Sequence, residues 1–190
     1  MPWYRRWMTF WIGTYDLERS RLEPKAVELY EEMYRRLAAG TIDQMRPRLT
    51  DTLYNSLLSR IRSRAPNTAV EWKLHSYVGR PWLCSYKMAP MTKPEVSDKN
   101  SLCQQAVVRI RSMQSLNQFK KTRDKSGNVS REVIKEDKEP RLVTEYLVIQ
   151  KMTKKGKVGE WMVWGTTQET TMQKLEEDAL KARWQRDALK

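Results

Sequence analysis

The sequence predicts an α+β protein: N-terminal helices packed on an antiparallel sheet, with a further helix at the C-terminus. Three observations carry this. Apolar residues recur at helical spacing as far as Ile61. The period then switches to alternation near Thr68. Strand-like segments follow one another from there, separated by turn residues, until the helical period returns in the tail.

The first 21 residues stand apart from the rest. Trp3, Trp7 and Trp11 recur every fourth position, with Arg5 and Arg6 between them and no acid before Asp16. On a helix the three tryptophans share one face. Such a segment suits an anchor in the lipid headgroup zone, and equally an arm packed on its own domain or on a neighbour. A helix is then expected from Pro24 to Ala39, because proline fits the first turn, where its missing N–H has no intrahelical partner. Val27, Tyr30, Met33, Tyr34 and Leu37 give it an apolar face, and Gly40 is a natural stop. Thr50 is placed to cap a second helix over about residues 51–64, with Leu53, Leu57 and Ile61 as its buried stripe and Pro66 ending it.

From Thr68, Val70, Trp72 and Leu74 alternate with polar residues, which predicts a strand ending near Gly79. Trp82 to Met88 is a second strand. In the third, Ala106, Val108 and Ile110 point one way and Arg109 and Arg111 the other. The charged stretch from Lys120 to Arg141, with Ser126-Gly127-Asn128 in its middle, reads as a long hairpin excursion or a mobile loop. Two more strands, Leu142 to Lys151 and Glu160 to Thr166, join through a hairpin at Lys154-Lys155-Gly156-Lys157. Their runs Tyr146-Leu147-Val148-Ile149 and Trp161-Met162-Val163-Trp164 do not alternate, so both faces are expected to be covered. The tail is helical by period, with Met172, Leu175 and Ala179 on one stripe. The chain thus divides into an aromatic and basic arm over 1–21, a domain over 22–169 and a C-terminal helix over 170–190.

Function is bounded mainly by charge. A formal charge of +13 sits on a chain with one histidine, His75, and two cysteines, Cys84 and Cys103. That surplus on a folded body suits a polyanion partner; the plainer alternative is a solvated basic surface. The mean hydropathy of -0.78 excludes a polytopic membrane protein, and no apolar run approaches the ~18–20 residues that span a bilayer. Two cysteines are too few for a disulfide framework and lack metal-ligand spacing. No carboxylate pair, zinc box or nucleophile elbow is present, and a lone strand histidine is more often structural than a general base. Glu145 is the one carboxylate set in an apolar strand, where a cross-strand arginine such as Arg109 is the expected partner.

A resemblance adds to this. Glu145-Tyr146-Leu147-Val148-Ile149-Gln150 followed by Trp161-Met162-Val163-Trp164-Gly165-Thr166 resembles the end of a Tim-forty-four-like domain. Gln104-Gln105-Ala106-Val107-Val108-Arg109-Ile110 with Ser112-Met113-Gln114-Ser115 resembles the long strand of that family. Tyr34 to Gly40, Leu49-Thr50 and Trp72-Lys73-Leu74 fit its opening, so the resemblance covers about residues 24–168. It implies a cone-like α+β fold of the cystatin and nuclear-transport-factor type. Only about twenty residues precede the first expected helix. The family's import-translocase branch instead carries a long charged region there. The strand with Ser112 and Gln114, the Tyr146 strand and the Trp164-Gly165 ending look more like the branch of the mitochondrial large-subunit ribosomal protein L forty-five and its fungal membrane-associated ribosome receptor.

The resemblance implies a non-catalytic structural protein of the mitochondrial large ribosomal subunit near the tunnel exit, tethering the ribosome to the inner membrane for co-translational insertion. It implies a matrix location, ribosome-bound and peripheral to that membrane, with no cofactor and no small-molecule substrate. Ribosomal RNA and neighbouring ribosomal proteins are the expected partners, with lipid or an insertase beyond them. Candidate RNA-phosphate contacts are Arg60, Arg62, Arg64, Arg109, Arg111, Lys120, Lys121, Arg123, Lys125, Lys154, Lys155 and Lys157. Trp3, Trp7, Trp11, Arg5 and Arg6 are the candidates for a membrane or partner contact. The alternatives are a membrane-recruitment module of the import translocase and a small-molecule enzyme, which would need a carboxylate or His75 pointing into the conical pocket.

Overall fold

The computed structural model describes the backbone of residues 3–90, 101–123, 129–154 and 157–169, and the side chains among these except for 3–19, 123 and 129. Helix α1 spans Trp3–Ala39, a short 3-10 helix Ile42–Arg48 follows, and α2 spans Asp51–Arg62. Six strands come next: β1 Thr68–Tyr77, β2 Trp82–Pro90, β3 Leu102–Arg123, β4 Val129–Lys135, β5 Arg141–Lys154 and β6 Lys157–Thr167.

One expected boundary is corrected. Pro24 lies inside α1 rather than at its start. An internal proline removes one hydrogen bond and crowds the preceding turn, at a cost of about 3 kcal/mol. Packing outweighs it. Leu22 and Ala26, on either side of Pro24, are both buried on the stripe that continues through Leu29, Tyr30 and Met33, so the turn before the proline is held against the sheet. At the other end Gly40 stops the helix as expected. Its φ of 77° lets Thr41 N–H reach Arg36 C=O at 3.0 Å and Gly40 N–H reach Leu37 C=O at 3.2 Å, the double closure of a Schellman motif.

The long β3 organises the sheet. β2 and β5 both pair with its first half, through Leu102–Arg109, and so lie on opposite edges. β1 and β4 both pair around Lys120 and likewise lie on opposite edges. β1 and β2 therefore share one edge of β3, β4 and β5 share the other, and β6 extends β5. All these ladders are antiparallel. The charged stretch after Lys120 is thus a hairpin, whose turn residues 124–128 lie outside the described part. Register shifts at His75, Cys84, Ile134 and Trp164 interrupt the ladders. Such bulges bend strands, and the sheet curls into a half-barrel.

The core lies in the concave side. Ala106, Val108 and Ile110 are fully buried with Leu147, Ile149 and Val163, under Leu22, Ala26, Leu29, Tyr30 and Met33 of α1, Ile42, Met45 and Leu49, and Leu57 of α2. Leu53 and Ile61 are only half-buried. Val148 and Gln150 are also buried, on the opposite face from Leu147 and Ile149, as the lack of alternation in β5 demanded; in β6 the same expectation fails, since Trp164 is exposed. The C-terminal helix expected over 170–190 lies outside the described residues.

Candidate functional site: a basic end and a polar-floored cavity

The chain path decides which cations meet. α2 ends at Arg62 and β1 begins at Thr68, whose register partner is Lys120. Lys121 N–H donates to Asn67 C=O at 2.7 Å, pinning the connection to the hairpin base. Arg60, Arg62, Lys120 and Lys121 are therefore exposed at one end of the molecule, and Arg131, opposite Lys121 on β4, joins them. Lys121 and Arg131 share the lining of a hollow of about 500 Å3 with Arg64 and Glu71. None of these five makes an ion pair among the described residues; Glu132 is the register partner of Lys120.

The remaining candidates lie elsewhere. Arg64 is half-buried and occupied: its guanidinium donates to Leu37 C=O at 2.5 Å and Ala38 C=O at 3.0 Å, closing the last turn of α1. Desolvation pulls its pKa below the ordinary guanidinium value. Arg109 and Arg111 sit mid-strand on the convex face, half-buried and exposed respectively. Lys154 and Lys157 face each other at the start of the β5–β6 hairpin, beside Leu102 and roughly 60 Å of strand contour from Lys120. The structure thus does not bring them to the basic end. Lys125, Lys155 and the side chain of Arg123 lie outside the described residues. So do the side chains of Trp3, Arg5, Arg6, Trp7 and Trp11, whose backbone belongs to α1.

A second feature is a cavity, whose polar network the sequence reading did not anticipate. Between the concave sheet and the C-terminal ends of both helices is a cavity of about 760 Å3, lined among others by Tyr34, Trp72, Gln114, Arg60, Arg141 and Glu145. Trp72, Gln114, Tyr34 and Glu145 of its lining belong to one hydrogen-bonded chain. Trp72 Nε1 donates to Gln114 Oε1 at 2.6 Å, Gln114 Nε2 donates to Tyr30 Oη and to Ser112 Oγ, and Tyr30 Oη donates to Glu145 Oε2 at 2.6 Å. Tyr34 Oη donates to the other Glu145 oxygen. Burial first, and then Glu145, hold both phenols protonated well above the usual tyrosine range. The rings of Tyr34 and Trp72 stack at 5.4 Å.

This corrects the expected Glu145–Arg109 pairing. Glu145 is the register partner of Ile110 and faces the helices, whereas Arg109 faces the convex side opposite Tyr146. The signal was present: Ser112, Gln114 and Glu145 occupy the buried phase of their strands, and Tyr30 and Tyr34 are one helical turn apart. Glu145 does reach the cavity, but each of its oxygens already accepts a phenol. His75 does not line it. It is exposed at the β1 bulge, with Nε2 2.9 Å from Ser115 Oγ. Among the described residues no cluster of three or more metal-ligating side chains occurs, and no helix is long and apolar enough to cross a membrane.

Comparison with known proteins places the chain. In structure it is similar to the intermembrane space region of the chloroplast protein ARC6, with a TM-score of 0.41 and 11% identity over 77% of this chain and 93% of that one. No curated protein matches it in sequence. A family profile described as MBA1-like protein matches residues 4–182, nearly the whole length. The chain belongs to the MBA1-like family of mitochondrial ribosome-associated membrane proteins.

Proposed function

We propose that this protein is a non-catalytic tether that binds the large subunit of the mitochondrial ribosome through ribosomal RNA and holds it at the inner membrane, near the tunnel exit, for co-translational insertion. On this reading it is a peripheral matrix protein and shares the Tim-forty-four-like ancestry and cone-like fold that its strands resemble. The observation that carries the reading is the gathering of Arg60, Arg62, Lys120, Lys121 and Arg131 at one end of the fold, in a family of ribosome-associated membrane proteins. Exposed cations with no ion pair among the described residues suit phosphate contacts, which position without reading sequence. The tryptophans at 3, 7 and 11 recur every fourth residue of one continuous helix, so they share a face that suits the headgroup zone. Two weak attachments on one chain give a bridge through effective concentration.

A bridging assay tests this. Purified mitochondrial large subunits should float with cardiolipin-containing liposomes only when the protein is added. Replacing Trp3, Trp7 and Trp11 by alanine should abolish flotation and leave the protein on the subunit. Charge reversal of Arg60, Arg62, Lys120 and Lys121 should release the subunit and leave the protein on the liposome. A tryptophan variant that instead leaves the ribosome would make the arm a ribosomal contact and refute the membrane half of the proposal.

A further inference from the structure

The free edge of β5 carries a second inference, which shares Arg60 with the tether but rests on the sheet edge and is read by peptide binding alone. β3 pairs with β5 along Arg141–Thr153, but β6 reaches only as far as Tyr146. Residues Arg141–Glu145 therefore have a strand on one edge and none on the other among the described residues. Alternate residues of a strand turn their N–H and C=O away from the paired neighbour, so among the described residues no strand meets the outward main-chain groups of this segment. Exposure follows the same boundary. Leu142 is 52% exposed and Thr144 is exposed, whereas Leu147 to Gln150, flanked by β6, are buried.

Beside this edge opens the 760 Å3 cavity, with Val70, Trp72, Leu116, Ile134 and Val143 on its apolar walls and Ile134 left 54% exposed. A smaller cavity of about 350 Å3, between α2 and the end of β6, shares Tyr34, Leu37 and Arg60 with it. Arg60 thus stands where the two meet. Arg64 is committed to the end of α1 and Arg141 to Asp137 at 2.8 Å, but Arg60 has no carboxylate partner among the described residues.

We propose that this edge binds an extended segment of a partner protein as an added strand, antiparallel to β5 and in line with β6. Aliphatic side chains would alternate into the cavity, and an acidic residue at the N-terminal end would meet Arg60. The main-chain edge is what selects a peptide, because a small ligand would fill the cavity and leave the edge groups unmet. The position of the acid follows from direction. A strand continuing β6 begins beside Glu145, whose carboxylate is bonded to Tyr34, and Tyr34 and Arg60 line both cavities.

The test uses the full chain and a fluorescein-labelled peptide that begins with two aspartates and continues with alternating valine and threonine. Anisotropy should show saturable binding, weakened by about tenfold or more in Arg60→Glu and retained in Arg60→Lys, with far-UV circular dichroism confirming that both variants fold. Replacing alternate threonines of the peptide by proline should abolish binding, because proline cannot complete the ladder. Hydrogen exchange should slow in residues 141–145 when the peptide is added. Absence of saturable binding, indifference to proline or to Arg60→Glu, or amides at 141–145 already protected in the free protein would overturn the proposal. The last result would mean that the chain covers this edge itself.

Discussion

Replacing Tyr30 by phenylalanine removes a single oxygen from the middle of the hydrogen-bonded chain, and its cost follows from what that oxygen does. Tyr30 is fully buried, and its hydroxyl donates to an ionisable carboxylate at 2.6 Å. A hydrogen bond to a charged group contributes about 1.5–3 kcal/mol. Two features keep the loss from growing. Gln114 Nε2 retains Ser112 Oγ at 2.8 Å, and Glu145 retains the Tyr34 phenol on its other oxygen, so no buried group is stripped of every partner. The expected destabilisation is about 2 kcal/mol, or roughly 4–8 °C in Tm for a chain of this size. Urea titration followed by tryptophan fluorescence measures it. A double-mutant cycle with Glu145→Gln should show coupling of at least about 1 kcal/mol. A Tyr30→Phe loss within about 0.5 kcal/mol, or additive single variants, would refute the view that the network fixes α1 to β5.

Three further outcomes are expected. Tyr30, Tyr34 and Tyr77 have folded-state pKa values raised above the unfolded value, by burial first and then by Glu145 or Glu31, so their contribution is complete below about pH 10 and is lost as pH rises past it. Stability should therefore fall above about pH 10, by up to about 1.4 kcal/mol per pH unit for each of Tyr30 and Tyr34 and by less for the partly exposed Tyr77, and the Tyr30→Phe and Tyr34→Phe variants should show a shallower alkaline arm. Arg64→Met keeps the alkyl stem but strips the two last-turn carbonyls of their guanidinium donors, and should cost about 1–3 kcal/mol by thermal denaturation, more than Arg62→Met, which should stay within about 0.5 kcal/mol. Charge reversal at Lys154 and Lys157, at the far end of the sheet, should leave ribosome co-sedimentation nearly unchanged.

The elements were legible where one periodicity ran unopposed. Val108 and Ile110 are buried, Arg111 is exposed and Gly40 ends α1, as their spacing requires. Where two local signals conflicted, the sequence misled. Pro24 looked like a helix start because propensity ignores the burial of Leu22, which only the tertiary fold supplies. Pairing was the least legible level. Whether Glu145 meets Arg109 or the tyrosines of α1 depends on a one-residue choice of register between β3 and β5, and such a step moves a side chain to the other face. The basic end poses the same problem at longer range. Arg60 and Lys120 lie far apart in sequence and fall at the same end of the fold because Thr68 pairs with Lys120. Lys154 and Lys157 have the same composition but fall at the opposite end of the sheet.

The most direct test of the tether is the salt dependence of binding to the purified mitochondrial large subunit, measured for the wild-type chain and for the Arg60, Arg62, Lys120 and Lys121 charge-reversal variant. Phosphate contacts release counterions, so log affinity should fall linearly with log salt, each neutralised phosphate adding roughly 0.7–0.9 to the slope. The account predicts a steep wild-type slope and, in the variant, a slope reduced by about 0.7–0.9 for each phosphate left without its cation, with unfolding midpoints nearly unchanged. Equal slopes for the two proteins would contradict it and make the basic end a solvated surface.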